Sequence, residues 1–265
     1  MIKHLRLLAI LVLFVAGFNS CADKQDDLGL SSEILQKINK LGFNPENAFA
    51  IDGGYIVEGD IFLTDEDLEG HTHGNLPSLV VGNSEQYHTF NLVTGTPRTI
   101  VVTTSGGNIT TALSNAINDA IGRYNAENLA LTFVRGGSSG GGDINIRVVN
   151  TGQYIASAGF PSGGNPYNTI KYAKKYNNYS NGFMTTVIAH EMGHCIGFRH
   201  TDWMNRSYSC GSGGSEGQQN SGVGAVHIPG TPTGPDSGSW MLACLSATTN
   251  RPFNNNDKTA LNYLY

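Results

Sequence analysis

The hydrophobic positions along the chain change period several times, and each change marks a predicted element. Ile34, Leu35, Ile38 and Leu41 recur at helical spacing and predict a short amphipathic helix over residues 31–41. Tyr55 to Leu63 reads as a strand, and Thr64-Asp65-Glu66-Asp67 resembles a helix start, a hydroxyl ahead of acidic residues. Residues 71–87 have little periodicity and read as a connector. From Arg98 the pattern becomes that of a larger mixed domain. Arg98 to Thr103 is β-branched and extended, and Ile109, Ala112, Leu113, Ala116, Ile117, Ala120, Ile121 and Tyr124 form a full apolar helical stripe. Leu129 to Val134 and Asp143 to Val149 follow as strands, the second alternating Ile144, Ile146 and Val148 with polar neighbours. That strand, helix, strand, strand order leads to a second, more apolar helix from about Phe183 to Ile196, with Asn181 near its start and Val187, Ile188 and Met192 buried. A last helix holds Ala260, Leu261 and Leu264, with Asn256 or Asp257 as its cap.

The first residues carry an export pattern. Lys3 and Arg6 precede an apolar run from Leu7 to Phe18, too short to span a bilayer as a helix, which reads as a signal peptide over residues 1–20. Phe18-Asn19-Ser20-Cys21 then resembles a lipoprotein cleavage site, with Phe18 and Asn19 as unusual residues, and makes Cys21 the expected site of lipid attachment. Residues 21–90 form an accessory segment, too small for a robust domain by itself, and 91–265 the main domain. The protein is expected in the cell envelope as a lipoprotein of the outer membrane or cell surface, or otherwise secreted, and as a monomer. Charged residues make up 14% of the chain and the formal net charge is −5, which becomes −7 when Lys3 and Arg6 leave with the signal peptide. No basic run interleaved with aromatics is present, so a nucleic-acid partner is not expected. The 34 glycines concentrate in 136–142 and 211–224, which read as irregular loops and match no phosphate-binding pattern.

The chemistry is concentrated in His190 to His200, HEMGHCIGFRH. Residues i and i+4 of a helix share a face, so His190 and His194 can converge on one ion while Glu191 stands beside it. Gly197 can take the left-handed conformation that ends a helix and lets His200 swing back as a third ligand. Three protein ligands with a fourth position open is the arrangement of a catalytic zinc ion, whereas structural zinc is normally closed by four, often Cys. Cys195 lies about 100° around the helix from His194 and is expected in the core or in a disulfide, not at the metal. Outside the cytoplasm two of Cys195, Cys210 and Cys244 are expected to pair, and the sequence leaves all three pairings open. His71 and His73 lack further spaced ligands and read as solvated.

HExxHxxGxxH resembles the metzincin metallopeptidases in full, and Met241, within Gly238-Ser239-Trp240-Met241, is similar to their downstream Met-turn, a structural element beneath the metal. More narrowly, Ala189 to His200, Ala158 to Tyr167 (AGFPSGGNPY), Ser239 to Cys244 (SWMLAC) and the terminal ALNYLY resemble the bacterial M57, or dual-action HEIGH, metallopeptidases over roughly residues 30–265. The resemblance implies an α+β fold: a metzincin-like catalytic domain with a twisted, mostly parallel sheet, a backing helix, an active-site helix and a loop-rich C-terminal subdomain, preceded by the small accessory segment. Two departures accompany it. Met192 stands where the family nickname has Ile, and Ala243 occupies the position where some metzincins carry a Tyr that helps stabilise the oxyanion.

The expected activity is zinc-dependent endopeptidase cleavage of protein or peptide substrates. One Zn2+ on His190, His194 and His200 lowers the pKa of its water from about 16 toward 7, and Glu191 takes the proton and passes it to the leaving amine. Substrate is expected to run antiparallel to an edge strand formed by residues 154–160, with side-chain pockets built by the loops around 136–142 and 207–230. An acidic side chain from Asp60, Asp65, Glu66 or Asp67 could fill the open zinc position and keep the enzyme latent; solvated acidic loops are the plainer reading. The rival from another class is a non-catalytic zinc-binding envelope lipoprotein that serves as a binding module.

Overall fold

The computed structural model describes residues 29–69, 86–217, 222–232 and 234–265. The expected signal peptide, Cys21, His71 and His73 lie outside the described residues. The accessory segment is built around helix α1, Ser32–Lys40, whose N-terminus is capped by Ser31 and whose Ile38 is fully buried. Three short strands follow, β1 (Phe49–Ile51), β2 (Gly54–Val57) and β3 (Ile61–Leu63), paired antiparallel in that order. The single strand expected over 55–63 is therefore two strands. Glu58, at φ 55°, and Gly59, at φ 94°, take left-handed conformations that no continuous strand accommodates, and they turn the chain between β2 and β3. Helix α2, Asp65–Leu68, starts where the sequence placed it. The Thr64 hydroxyl accepts from Asp67 N–H, and the Asp67 carboxylate accepts from Thr64 N–H, so two otherwise unpaired donors are satisfied reciprocally.

The main domain is a five-stranded sheet with two long helices packed on it. Its strands are β5 (Arg98–Gly106), β6 (Leu131–Arg135), β7 (Ile144–Val149), β8 (Ala156–Ser157) and β9 (Thr169–Ala173), in the order β6-β5-β7-β9-β8. The first four are mutually parallel, and β8 closes one edge antiparallel to β9. The sequence pattern missed β9, although it contributes the buried Ile170, Tyr172 and Ala173. Helix α3, Thr111–Asn125, is capped by Thr110 and buries Leu113, Ala116, Ile117, Ala120, Ile121 and Tyr124 of the expected stripe against the sheet and its neighbour, α4 (Asn181–Cys195), whereas Ala112 is exposed and Ile109 precedes the helix. The Tyr124 hydroxyl joins the two helices by donating to the Ala189 carbonyl at 2.7 Å.

Two-residue strands β4 (Tyr87–His88) and β10 (Val226–His227) pair antiparallel, with the short helix α5, Ser207–Cys210, between them in sequence. Helix α6, Asn255–Leu264, closes the chain. Its cap is Asn254, not Asn256 or Asp257 as the sequence suggested. Asp257 instead occupies the third helical position and completes a reciprocal capping pair with Asn254. Of the cysteines, Cys210 and Cys244 form the disulfide, and Cys195 is free and fully buried in the main core.

Candidate metal centre and active site

Helix α4 begins with the Ser180 hydroxyl accepting from Phe183 N–H and is buried along nearly its whole length. A helix surrounded by protein can carry polar side chains only where those side chains find partners. His190, Glu191 and His194 are its buried polar residues near the C-terminus. The helix stops in a two-bond motif: Gly197 N–H donates to His194 carbonyl at 2.9 Å and Phe198 N–H to Gly193 carbonyl at 2.9 Å, with Gly197 at φ 109°. That is the glycine-dependent helix end expected from the spacing. The chain then pairs with β4, through Thr89 N–H to Gly197 carbonyl and Arg199 N–H to Tyr87 carbonyl, and His200 returns to the helix.

The three imidazoles converge. His190 Nε2 lies 3.0 Å from His194 Nε2 and 3.2 Å from His200 Nε2, and the last two are 3.2 Å apart. Each Nδ1 faces an acceptor: the Trp240 carbonyl at 2.8 Å for His190, the Phe198 carbonyl at 2.8 Å for His194 and the Glu216 carboxylate at 2.6 Å for His200. A carbonyl can only accept, so His190 and His194 carry their proton on Nδ1 and aim Nε2 lone pairs at each other. Such an arrangement is repulsive unless a cation sits among them. Metal–nitrogen bonds of about 2.0–2.1 Å at tetrahedral angles separate nitrogens by about 3.3 Å, close to the spacing here. The donor set therefore fits a small divalent ion.

Asp60 supplies a fourth donor. Its Oδ2 is 3.2 Å from His200 Nε2 and 3.5 Å from His190 Nε2, and the four ligand atoms all lie within 4.8 Å of one another. Asp60 reaches this position on the β2–β3 turn, which lies along the sheet edge: Ala158 N–H donates to Asp60 carbonyl at 3.0 Å and Phe62 N–H to Ala158 carbonyl at 2.8 Å, with Ile61 bridging Ala158 in parallel register. Of the four acidic residues considered from sequence, Asp60 is the one brought to the histidines. Asp65 and Asp67 belong to the first turn of α2, and Glu66 lies between them.

The electrostatics follow from burial and charge. Burial pushes the His194 pKa well down, and the neighbouring His190 and His200 rings act in the same direction. Burial would also lower His200, but the Asp60 and Glu216 carboxylates on its two nitrogens raise it well above the ordinary value. This is the same demand for positive charge at the site, expressed on a proton. Asp60 is held well below the carboxylate range by His200 and His190 in spite of its burial. Glu191 goes the other way: burial first, then the Asp60 charge, raise it well above 4.5. Its Oε2 is buried without a hydrogen-bond partner. Glu191 lines a cavity of about 240 Å³ together with Asp60, Tyr154, Ile155, Val187 and Leu245.

Met241 is fully buried beneath the motif helix, and a methyl group on Gly193 would meet its sulfur at 2.5 Å. The turn that carries Met241 also provides the Trp240 carbonyl for His190, so it positions a ligand as well as filling space. Ala243, at the position of the absent Tyr, donates its N–H to the Asp202 carboxylate at 3.0 Å. Glu216 was not legible from the sequence. It sits in the glycine-rich loop, where no periodicity points inward, yet it is fully buried against His200, Arg199 and Arg206. Arg199 lies between Glu216, at 3.4 Å, and Glu58 of the accessory segment, at 3.6 Å. Arg206 also donates to the Glu58 carbonyl.

Among solved structures, two of myroilysin are similar to this chain. One is 16% identical, with a TM-score of 0.45, and covers 66% of this chain and 96% of that one; the second is 14% identical, with a TM-score of 0.41, and covers 75% and 95%. High choriolytic enzyme 1, a hatching-enzyme zinc protease from the medaka fish Oryzias latipes, is 20% identical over 38% of this chain and 44% of its own, with a TM-score of 0.25. No curated protein matches the chain. The family model of the dual-action HEIGH metallo-peptidases matches residues 55–265, a span that includes Asp60, the three histidines, Glu191 and Glu216. The chain therefore belongs to the dual-action HEIGH metallo-peptidase family and is a metallopeptidase.

Proposed function

We propose that this protein is an exported zinc endopeptidase in which His190, His194 and His200 hold one Zn2+, Glu191 is the general base, and Asp60 keeps the site latent. The observation that carries the reading is the convergence of three Nε2 atoms, with His190 lining the same cavity as the buried Glu191 carboxylate and its unpartnered oxygen. Zinc would supply Lewis-acid polarisation of the scissile carbonyl and lower the pKa of a water at its open position. Glu191 Oε2 takes the proton of the attacking water and delivers it to the leaving amine. Its upward-shifted pKa suits a group that must hold a proton between the two steps. Burial of Glu191 and the histidines strengthens each charge interaction among them. Substrate lies antiparallel along the edge at residues 154–160, the edge against which residues 60–62 now pair.

Glu191→Ala, made in the Asp60→Ala chain so that the parent is not latent, is expected to keep zinc at one ion per molecule while hydrolysis of unfolded casein falls by about 10²–10⁴, the usual range for removing a general base. His194→Ala should lose both. A fully active Glu191→Ala protein would refute the assignment, and zinc binding without hydrolysis of any peptide by either the wild type or Asp60→Ala would favour the non-catalytic binding module. Latency is tested separately. Asp60→Ala should raise peptide hydrolysis at least tenfold, about 1.4 kcal/mol of barrier. Equal activity of the two proteins removes latency and leaves the peptidase intact. Export and anchoring at Cys21 predict membrane association with incorporation of labelled fatty acid, abolished by Cys21→Ser; an unlabelled, freely secreted wild type would remove the anchor.

A further inference from the structure

One buried carboxylate at the centre, Glu216, lies outside the Asp60, His190, His194 and His200 donor set and groups instead with Glu58 around His200. We infer that Glu216 is the positioning residue for the third ligand: by accepting the His200 Nδ1 proton it fixes the ring's orientation and directs Nε2 at the metal. This inference rests on the peptidase reading only in taking His200 as a ligand.

Geometry gives Glu216 this task. His190 and His194 are oriented by backbone carbonyls of Trp240 and Phe198, which the fold supplies without any particular side chain. His200 lies beyond the end of the helix, and among the described residues the acceptor for its Nδ1 is a side chain 16 residues away, at 2.6 Å. A charged acceptor also makes the imidazole a better donor to a cation than a carbonyl can.

The carboxylate is itself held from several sides. Arg199 approaches Oε2 at 3.4 Å and Arg206 Nε approaches Oε1 at 3.5 Å, so two guanidinium groups offset the burial of its charge. Its backbone is tied down as well. Glu216 N–H donates to Trp203 carbonyl at 2.6 Å, and Arg206 N–H to Gly214 carbonyl at 3.0 Å. The next residue, Gly217, at φ 126°, lies so close to Gly42 that an added methyl would fall 1.6 Å from the Gly42 oxygen. The loop is thus pressed against the accessory segment at the point where it delivers Glu216.

The test compares zinc affinity by competition with a chromophoric chelator in the full chain for wild type, Glu216→Gln and Glu216→Asp. Gln keeps the length and loses the charge; Asp keeps the charge for Arg199 and Arg206 but withdraws the oxygen from Nδ1. Both variants are expected to bind zinc about 10- to 100-fold more weakly, the range for removing such a partner. A residue that only neutralises the arginines would leave Glu216→Asp within twofold of wild type, and that result overturns the inference. If either variant fails to fold, ¹⁵N-histidine NMR of the zinc-loaded wild type decides. The inference expects Nε2 of His200 on the metal and a slowly exchanging, strongly deshielded proton on Nδ1; a rapidly exchanging Nδ1 proton, or metal on Nδ1, overturns it. Casein hydrolysis by the Asp60→Ala protein, which lacks the latency contact, is scored in parallel. Weakened zinc binding in the Glu216 variants with an inactive Asp60→Ala protein would sink the peptidase reading and leave the role of Glu216 standing.

Discussion

Gly193, inside the histidine motif, offers a direct measure of how tightly the Met-turn supports the metal centre. On an ordinary helix, Gly→Ala stabilises by up to about 1 kcal/mol, because glycine gives up more backbone freedom on folding. At Gly193 the added methyl would lie 2.5 Å from Met241 Sδ, 3.1 Å from Trp240 Nε1 and 3.4 Å from Tyr124 Oη. Comfortable carbon contacts begin near 3.5–4.0 Å, so the Met241 sulfur must retreat by roughly 1–1.5 Å. It is fully buried, as is Trp240. Overpacking of this kind costs about 1–3 kcal/mol. Subtracting a helix gain of about 1 kcal/mol leaves Gly193→Ala destabilised by up to about 2 kcal/mol, or up to about 8 °C in Tm for a chain of this size. The displaced turn also carries the Trp240 carbonyl that orients His190, so zinc should bind about tenfold more weakly. Gly122 is the control. It lies on the exposed side of α3 with nothing within 4 Å of an added methyl, and Gly122→Ala should stabilise by about 0.5–1 kcal/mol without altering zinc affinity. Calorimetry and chelator competition read both quantities. A Gly193→Ala protein that melts at or above wild type and binds zinc equally would refute the argument.

Two further outcomes rest on parts of the fold that hold the same turn. Cys210 and Cys244 are 34 residues apart, and closing a loop of that length lowers unfolded-state entropy enough to stabilise by about 4 kcal/mol; urea unfolding of the Cys210→Ala, Cys244→Ala pair should show that loss, and a difference under about 1 kcal/mol would contradict it. Asp257, whose carboxylate accepts from Asn254 N–H, Trp240 N–H and Gln86, is raised by burial from 3.8 to about 7. The folded state therefore binds this proton more tightly than the unfolded chain, so the contribution is full below about pH 4 and is lost as pH rises through about 7, an effect of up to about 4 kcal/mol. Asp257→Asn, which stays neutral, should gain on wild type across that interval in urea unfolding at stepped pH. A difference independent of pH would mean that Asp257 is ionised throughout.

What could be read from the sequence and what could not divide along a physical line. His190, Glu191 and His194 were legible because a helix fixes their relation within one turn, and Gly197 because only a left-handed residue ends the helix and sends His200 back. The stripe on α3 was legible for the same reason, since its period alone says which face is buried. Strand β9 was not: five residues, Thr-Ile-Lys-Tyr-Ala, include a lysine and carry too few alternations to stand out, and only the neighbouring strands make them a sheet. Asp60 was legible only as one of four acidic residues. The choice among them was made by the left-handed Glu58 and Gly59, which break the strand and present the next side chain to the histidines. The disulfide and Glu216 are further along the same scale, because pairing Cys210 with Cys244 and placing Glu216 on His200 depend on contacts between irregular segments.

That division has a consequence for how the centre is built. The three converging imidazoles come from one continuous stretch of eleven residues, whereas the groups that orient them or join them come from the accessory turn, the glycine-rich loop and the Met241 turn. Glu58 and Glu216 share Arg199, so the accessory segment and the support of His200 are in one buried ion cluster. Burial and the adjacent Glu216 charge push Glu58 up, while His200 and Arg199 hold Glu216 down to about 2 against its own burial. A substitution that removes Glu58 leaves Arg199 wholly to Glu216 and should leave zinc affinity intact, whereas one that removes Glu216 strands Arg199 and frees His200. The asymmetry follows from which carboxylate touches a ligand, and it places the dependence of the metal centre on the glycine-rich loop rather than on the accessory segment.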